Sequence, residues 1–160
     1  MRSDSVEVRA RFFVIATGST PVLPPIDGLD TVQFHTNETI FNDPEKPDHL
    51  AIIGGGPIGV EMAQAHRRLG CRVTLIEAAS VLGNDDPDVS EILKERLQTE
   101  GVKLFEGVCV AEVQGSAGDL TLTLADGNMV AASHLLVATG RQACVDGLGL
   151  HCLLYTSPSP

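Results

Sequence analysis

The order of apolar and polar positions along the chain predicts an α/β fold. An uninterrupted apolar run at 12–16 is typical of a strand buried on both faces. Further along, the pattern predicts a strand at 50–53, a helix at 58–69 and a second strand at 72–77. A strand, a helix and a strand within about 30 residues form a βαβ unit, so these two strands should lie parallel in one sheet.

A second helix is predicted after this unit. Asp85, Asp86 and Asp88 surround Pro87 and supply the cap and the first-turn acids of a helix that Gly101 ends. The apolar stripe of this helix, which we expect to pack against the sheet, consists of Val89, Ile92, Leu93 and Leu97.

The remaining pattern predicts more strands and one irregular segment. The pattern predicts a third strand at 102–105 and a last, buried strand at 134–138. Residues 120–124 alternate with period two and precede the turn residues Asp126 and Gly127, which favours a short antiparallel β-meander. Five of the nine prolines lie between residues 21 and 47, and their fixed φ values predict an irregular connector over 21–49.

The composition fits one globular domain, with 160 residues of which 43% are hydrophobic and 20% charged. The net charge of -10 repels a polyanion, so we expect no nucleic-acid partner. The apolar runs fall far short of the ~20 residues of a membrane span, and the first residues lack the pattern of a signal peptide. We therefore expect no membrane partner and a cytoplasmic location.

The cysteines and histidines form no recognisable metal or redox motif. The four cysteines match neither zinc-ligand spacing nor a Cys-x-x-Cys pair, and the five histidines have no ligand-like spacing. We expect no metal site, and we expect Cys71 and Cys109 to be small buried residues beside strands.

A glycine-rich motif between the first predicted helix and the strand before it carries the clearest chemical signal. Residues 54–59 read Gly-Gly-Gly-Pro-Ile-Gly and satisfy G-x-G-x-x-G in the strand-to-helix context that dinucleotide-binding proteins use. Gly54 permits the tight turn, Gly56 allows a pyrophosphate to approach the backbone, and Gly59 allows close packing of helix on strand. The helix N-terminus would hold the phosphates.

Two carboxylates accompany this motif. Glu77 ends the second strand of the unit, eighteen residues after Gly59, where a carboxylate accepts hydrogen bonds from an adenosine ribose and repels a 2′-phosphate. This position favours NAD over NADP. Glu61 is expected on the first turn of the helix, where the helix dipole stabilises a carboxylate with or without a ligand.

Four segments together resemble the pyridine nucleotide-disulfide oxidoreductase family, flavoproteins that carry FAD and a nicotinamide cofactor. The segments are residues 14–21, 53–61, 73–77 and 136–141. The resemblance extends over most of residues 6–150, and residues 36–41 and 147–150 are similar to dihydrolipoamide dehydrogenase-like and mercuric reductase-like members. The chain departs from the family pattern at 142–144, where Gln-Ala-Cys replaces the usual proline and asparagine.

The resemblance implies a role for each cofactor-binding position. Thr17, Gly18 and Ser19 would contact FAD, and the glycine motif would bind the NAD pyrophosphate. Glu77 would bind the ribose, and Glu61 would lie near the nicotinamide. Val110 and Gly140 would line the same groove. The complete expected set is Thr17, Gly18, Ser19, Gly54, Gly55, Gly56, Pro57, Ile58, Gly59, Val60, Glu61, Glu77, Val110 and Gly140.

The resemblance also implies a Rossmann-like NAD-binding domain with a parallel sheet and a small antiparallel β-meander, flanked by pieces of an FAD-binding domain. Residues 1–20 would be a remnant of the FAD-binding domain, 21–49 a connector, 50–141 the NAD-binding domain and 142–151 the return towards the FAD-binding domain. Residues 152–160 are similar to a translated sequencing adapter and are expected to be non-native. The first glycine fingerprint, the Cys-x-x-x-x-Cys pair and the dimerisation domain of the family do not occur in this sequence.

The function expected from the resemblance is hydride transfer between NAD(H) and flavin in a homodimeric parent enzyme, with a disulfide-type acceptor such as dihydrolipoamide. We expect a truncated fragment that is inactive by itself. Two alternatives remain open: a fragment of an NADH oxidase or ferredoxin-type reductase, and a non-catalytic NAD-binding module.

Overall fold

The computed structural model describes residues 9–149. The chain divides into a larger unit, Pro21–Arg141, and a smaller unit formed by the described parts of Met1–Thr20 and Gln142–Pro160. The elements in chain order are β1 (Ser19–Pro21), β2 (His49–Ile53), α1 (Pro57–Arg68), β3 (Arg72–Glu77), α2 (Pro87–Thr99), β4 (Lys103–Glu106), β5 (Val110–Ser116), β6 (Asp119–Leu124), β7 (Met129–Ala132), β8 (His134–Val137) and β9 (Arg141–Ala143). β1 and β9 pair in a two-stranded sheet.

A parallel four-stranded sheet in the order β4-β3-β2-β8 forms the centre of the larger unit. β2, α1 and β3 form the predicted βαβ unit, in which Leu50 lies opposite Val73 and Ile53 opposite Ile76. The predicted parallel sheet is confirmed, and the predicted strand at 72–77 has the same bounds as β3.

Both faces of the sheet are covered, and successive side chains of β2 point to opposite faces. Leu50 and Ile52 pack with buried residues of α1 and α2, whereas Ala51 and Ile53 pack with buried residues of the meander. Since neither face is solvated, the central strands are continuous apolar runs, as the sequence pattern indicates.

The meander consists of β5, β6 and β7, which pair antiparallel in that order. Leu120, Leu122 and Leu124 are buried and the threonines between them are half-buried, so the predicted alternation and the meander are confirmed. The sequence pattern did not predict β5. A register shift between Val110 and Glu112 interrupts its period-two pattern, as a β-bulge does.

The segment 21–49 is irregular, as its prolines predict, but it belongs to the larger unit. It contains two short 3-10 helices, Leu29–Thr31 and Ile40–Asn42, each with a buried residue in the apolar clusters. Isolated bridges join Asp27 to Glu112 and His35 to Leu136. The segment therefore contributes to the core of this unit.

The predicted buried strand at 12–16 is wrong for the described residues. Phe12 is 79% exposed and Val14 is 90% exposed, and no strand is assigned to this run. A strand buried on both faces needs neighbouring strands and a layer on either side. Within residues 9–149 no strand pairs with this segment.

The second helix has the predicted ends, and its buried face agrees with the prediction in part. Asp86 caps α2 by accepting a hydrogen bond from the Asp88 amide (2.9 Å), and Gly101 follows the helix with a φ of +89°. Val89 and Ile92 are exposed, so that part of the predicted stripe is wrong. Leu97 is buried and Leu93 packs partly buried against the same apolar cluster, as predicted, and Ser90 is buried where the stripe had Val89.

The C-terminal ends of α1 and α2 meet at Glu100. Arg68 donates to its carboxylate at 2.7 Å and Arg96 at 2.6 Å. The Arg68 hydrogen bond is the main cause that lowers the Glu100 pKa from 4.5 to about 2, with Arg96 adding to the effect. These contacts therefore favour the ionised carboxylate in the folded chain.

We expect Glu100→Gln to remove a pH-dependent part of the stability. Because the folded-state pKa is depressed, the stabilisation is complete above pH 4.5 and is lost as the pH falls towards about 2. The effect should be small, since both arginine side chains are more than half exposed. Thermal unfolding midpoints from pH 6 down to about pH 2 test this. Glu95→Gln, in α2, is the control. If the midpoints of Glu100→Gln and of the original chain differ by the same amount at every pH in this range, the prediction is contradicted.

Within the described residues, no helix is long and apolar enough to cross a bilayer.

Candidate nucleotide-binding site

A cleft of about 870 Å³ opens at the carboxyl ends of the parallel strands. Its floor includes the end of β2 at Ile53, the end of β3 at Glu77, and Ala138 after β8. Ligands of open α/β sheets bind at this edge. Eight of the sequence-predicted residues line the cleft: Gly54, Gly55, Gly56, Pro57, Ile58, Glu77, Val110 and Gly140.

Two glycines of the motif allow backbone segments to approach each other closely. Gly54 has a φ of +109°, and a Cβ there would collide with the carbonyl of Ala138. A Cβ on Gly59 would collide with the carbonyl of Gly54. These positions therefore need glycine for the turn and for the packing of α1 on β2, the two roles that the motif predicts.

The third glycine leaves space in front of the helix. No atom lies within 4 Å of the place where a Cβ of Gly56 would be. The first hydrogen bond of α1 joins the Val60 amide to the Gly56 carbonyl (3.0 Å), so the Ile58 and Gly59 amides have no acceptor within the helix. Open space in front of unpaired amides at the positive end of a helix dipole fits a pyrophosphate.

Glu77 is fixed beside the glycine turn by two backbone amides. Its carboxylate accepts hydrogen bonds from Gly55 (2.6 Å) and from Ala79 (2.9 Å). The Cβ that Gly55 lacks would contact the Glu77 side chain at 2.9 Å, so glycine allows this approach. In the described part of the chain, no arginine or lysine lines the cleft, and this wall is negative.

Other predicted residues lie outside the cleft lining. Gly59 and Val60 are buried behind the turn. Glu61 is exposed and lies beyond the first turn of α1, because the helix begins at Pro57; the predicted first-turn position is wrong.

The three residues expected to contact FAD lie in the smaller unit. The Thr17 hydroxyl donates to the Cys144 carbonyl at 2.5 Å, and the Cys144 amide donates to the Gly18 carbonyl at 2.9 Å. Ser19 begins β1. Their contact with FAD stays a prediction.

The sequence patterns missed part of the cleft wall. The loop between β3 and α2 contributes Leu82, and the turn before β5 contributes Cys109. Cys109 is exposed, so its predicted burial is wrong, whereas Cys71 is buried as predicted. Cys109 lies between strands, and a turn residue at a cleft lacks the cover that a central strand has. No residue-type signal distinguishes Leu82 from an ordinary core leucine.

Residues 2–154 match the model of a family described as pyridine nucleotide-disulphide oxidoreductase. The chain belongs to this family. Its members are FAD-dependent oxidoreductases that also bind a pyridine nucleotide. The cleft fits the pyridine nucleotide of this family, because it combines a glycine turn, a free helix N-terminus and a carboxylate at a strand end.

Relatives in the family differ in their acceptors. Mercuric reductase from Streptomyces lividans is 40% identical over 146 residues, which are 89% of this chain and 31% of that protein. The HOCl-induced flavoprotein disulfide reductase RclA from Escherichia coli has a TM-score of 0.76 at 32% identity, covering 85% of this chain and 32% of that one. A water-forming NADH oxidase from Lactobacillus brevis, bound to NADH, has a TM-score of 0.76 at 26% identity, covering 88% and 32%. The chain spans about a third of the length of these relatives.

Proposed function

We propose that the cleft binds NAD(H) and that, in the whole protein, a hydride passes between this cofactor and FAD. The observation that carries the proposal is the Glu77 carboxylate, held at 2.6 Å by an amide of the glycine turn. A ribose with two free hydroxyls donates to such a carboxylate, whereas a 2′-phosphate is repelled by it. NAD is therefore favoured over NADP.

The residues of the cleft would bind and orient the cofactor. The unpaired amides at the start of α1 would hold the pyrophosphate, and Val110 and Gly140 would flank the remainder of the dinucleotide. Glu61 would lie near the nicotinamide, and Thr17, Gly18 and Ser19 would contact FAD. When bound, the nicotinamide supplies or accepts the hydride, and the protein supplies its position.

For the acceptor we propose a disulfide-type substrate, such as the oxidised disulfide form of dihydrolipoamide, which the likeness to a flavoprotein disulfide reductase supports. Mercuric ion is a second candidate, supported by the 40% identity to a mercuric reductase. The NADH oxidase in the comparison keeps the oxidase alternative open. We propose a cytoplasmic homodimer as the parent protein, and we expect no hydride transfer by these 160 residues alone.

The cofactor proposal predicts a change of preference when the charge beside the ribose is reversed. The original chain should bind NADH about tenfold more tightly than NADPH, and Glu77→Ala combined with Ala78→Arg should abolish or invert this preference. Isothermal titration calorimetry with both nucleotides measures the ratio. Ala131→Arg, which adds the same charge at an exposed position of β7 outside the cleft, is the control. Equal affinity of the original chain for NADH and NADPH would argue against the proposal.

The acceptor proposal is tested on the parent gene. Resequencing its DNA on both sides of this reading frame should reveal an upstream G-x-G-x-x-G and a Cys-x-x-x-x-Cys pair, followed downstream by a dimerisation domain with a histidine. A G-x-G-x-x-G without the cysteine pair would favour the oxidase or ferredoxin-type alternative. A frame without either would leave a non-catalytic NAD-binding module.

A further inference from the structure

Leu82, in the loop between β3 and α2, has an unusual backbone conformation. Its φ is +54°, and among residues 9–149 it is the one residue other than glycine with a positive φ. L-residues rarely adopt this region, and they stay in it when their surroundings hold them there. Leu82 is 7% exposed and lines the cleft.

Three hydrogen bonds hold Leu82 in this conformation. Its amide donates to the carbonyl of Gly55 at 2.9 Å, and its own carbonyl accepts from the amide of Asp85 at 2.9 Å and from the hydroxyl of Ser90 at 3.1 Å. The Gly55 amide in turn donates to Glu77 at 2.6 Å. A continuous series of three hydrogen bonds therefore leads from α2, through the strained residue and the glycine turn, to the carboxylate.

The serine in this series is not explained by the packing of α2. Ser90 is 5% exposed and lies on the buried face of the helix, where a hydroxyl is costly unless it is hydrogen-bonded. Alanine is a better helix former and would fit the same apolar surroundings. The one side-chain hydrogen bond that the described residues give Ser90 is the bond to Leu82.

We propose that Ser90 is a positioning residue for nucleotide recognition, an inference that rests on the proposed binding of NAD(H). Ser90 does not line the cleft. Together with the Asp85 amide it holds the Leu82 carbonyl, and the Leu82 amide fixes the Gly55 carbonyl. The Gly55 amide, with that of Ala79, then sets the direction of the Glu77 carboxylate towards the ribose. The preference for a ribose with a free 2′-hydroxyl therefore depends on the side chain of Ser90, a residue of α2 outside the cleft.

Ser90→Ala tests the proposal in the full chain, with Thr99→Ala as the matched control. Both substitutions remove an α2 hydroxyl that donates to a backbone carbonyl, and Thr99 bonds within its own helix to Glu95 at 2.8 Å. We expect Ser90→Ala to weaken NADH binding about fivefold and to leave NADPH binding within about twofold, because the lost bond acts on the ribose carboxylate. Thr99→Ala should change neither affinity, and Ser90→Thr should restore NADH binding by keeping the hydroxyl.

The readout is the ratio of NADH to NADPH affinity from calorimetry, measured well below the thermal midpoint of each variant. A general loss of stability would not change this ratio. Equal weakening of both nucleotides, or unchanged NADH binding in Ser90→Ala, would overturn the positioning role while the original chain still binds NADH. Failure of the original chain to bind NADH would overturn the proposed function itself, and the positioning role with it.

Discussion

Replacing Gly59 with alanine should destabilise the larger unit by about 3 kcal/mol, even though alanine is the better helix former. A Cβ at this position would collide with the carbonyl of Gly54, where α1 crosses the end of β2. The collision partner is backbone in a turn that is itself fixed against Ala138, so it has little freedom to move. Either α1 shifts away from the sheet or the turn distorts.

The measurement is the thermal midpoint of the full chain without nucleotide, which should fall by about 10 °C. Gly56→Ala is the matched control, because it adds the same methyl group three residues earlier, where no atom lies within 4 Å. Its midpoint should stay within about 2 °C of the original. Equal midpoints for the two variants would contradict the close packing of helix on strand.

Replacing Gly56 with valine should have the opposite profile, with a stable fold and NADH binding weakened about 100-fold. The backbone there is extended, with φ −72° and ψ −178°, a conformation that valine adopts readily. Its side chain would project into the open space in front of the helix N-terminus. A pyrophosphate could then no longer approach the free amides of α1.

Calorimetric titration with NADH tests this prediction, and circular dichroism checks that the fold is intact. Ala131→Val introduces the same side chain at an exposed position of β7 and should leave the affinity unchanged. If Gly56→Val binds NADH within about threefold of the original chain, the nucleotide does not approach through this space.

The βαβ unit and its glycine turn could be predicted from the sequence because local rules determine them. The apolar run of β2, the motif of 54–59 and Glu77 follow one another in a register that few other folds produce. The meander was predictable from the alternation at 120–124.

Features that depend on distant partners were not predictable in this way. The burial of Ser90 in place of Val89 depends on which side of α2 meets the sheet, and periodicity alone included the exposed Val89 and Ile92 in that side. Cys109 is exposed because it lies in the turn before β5. The β-bulge interrupts the alternation that would have shown where β5 begins, so the sequence pattern did not reveal this turn. The conformation of Leu82 results from hydrogen bonds to Gly55, Asp85 and Ser90, for which the sequence carries no signal.

The pairing of β2 with both β3 and β8 also determines when the cleft can form during synthesis. β3 follows β2 closely along the chain, but the contact of His49 with Ser133, beside β8, spans 84 residues. Contacts between residues near in sequence form early in folding, and long-range pairings carry the greater entropic cost. The βαβ half with its glycine turn is therefore expected to assemble first on the ribosome. Ala138, against which Gly54 packs, is synthesised near the end of this unit. The nascent chain can therefore form the nucleotide cleft after almost the whole unit has left the ribosome.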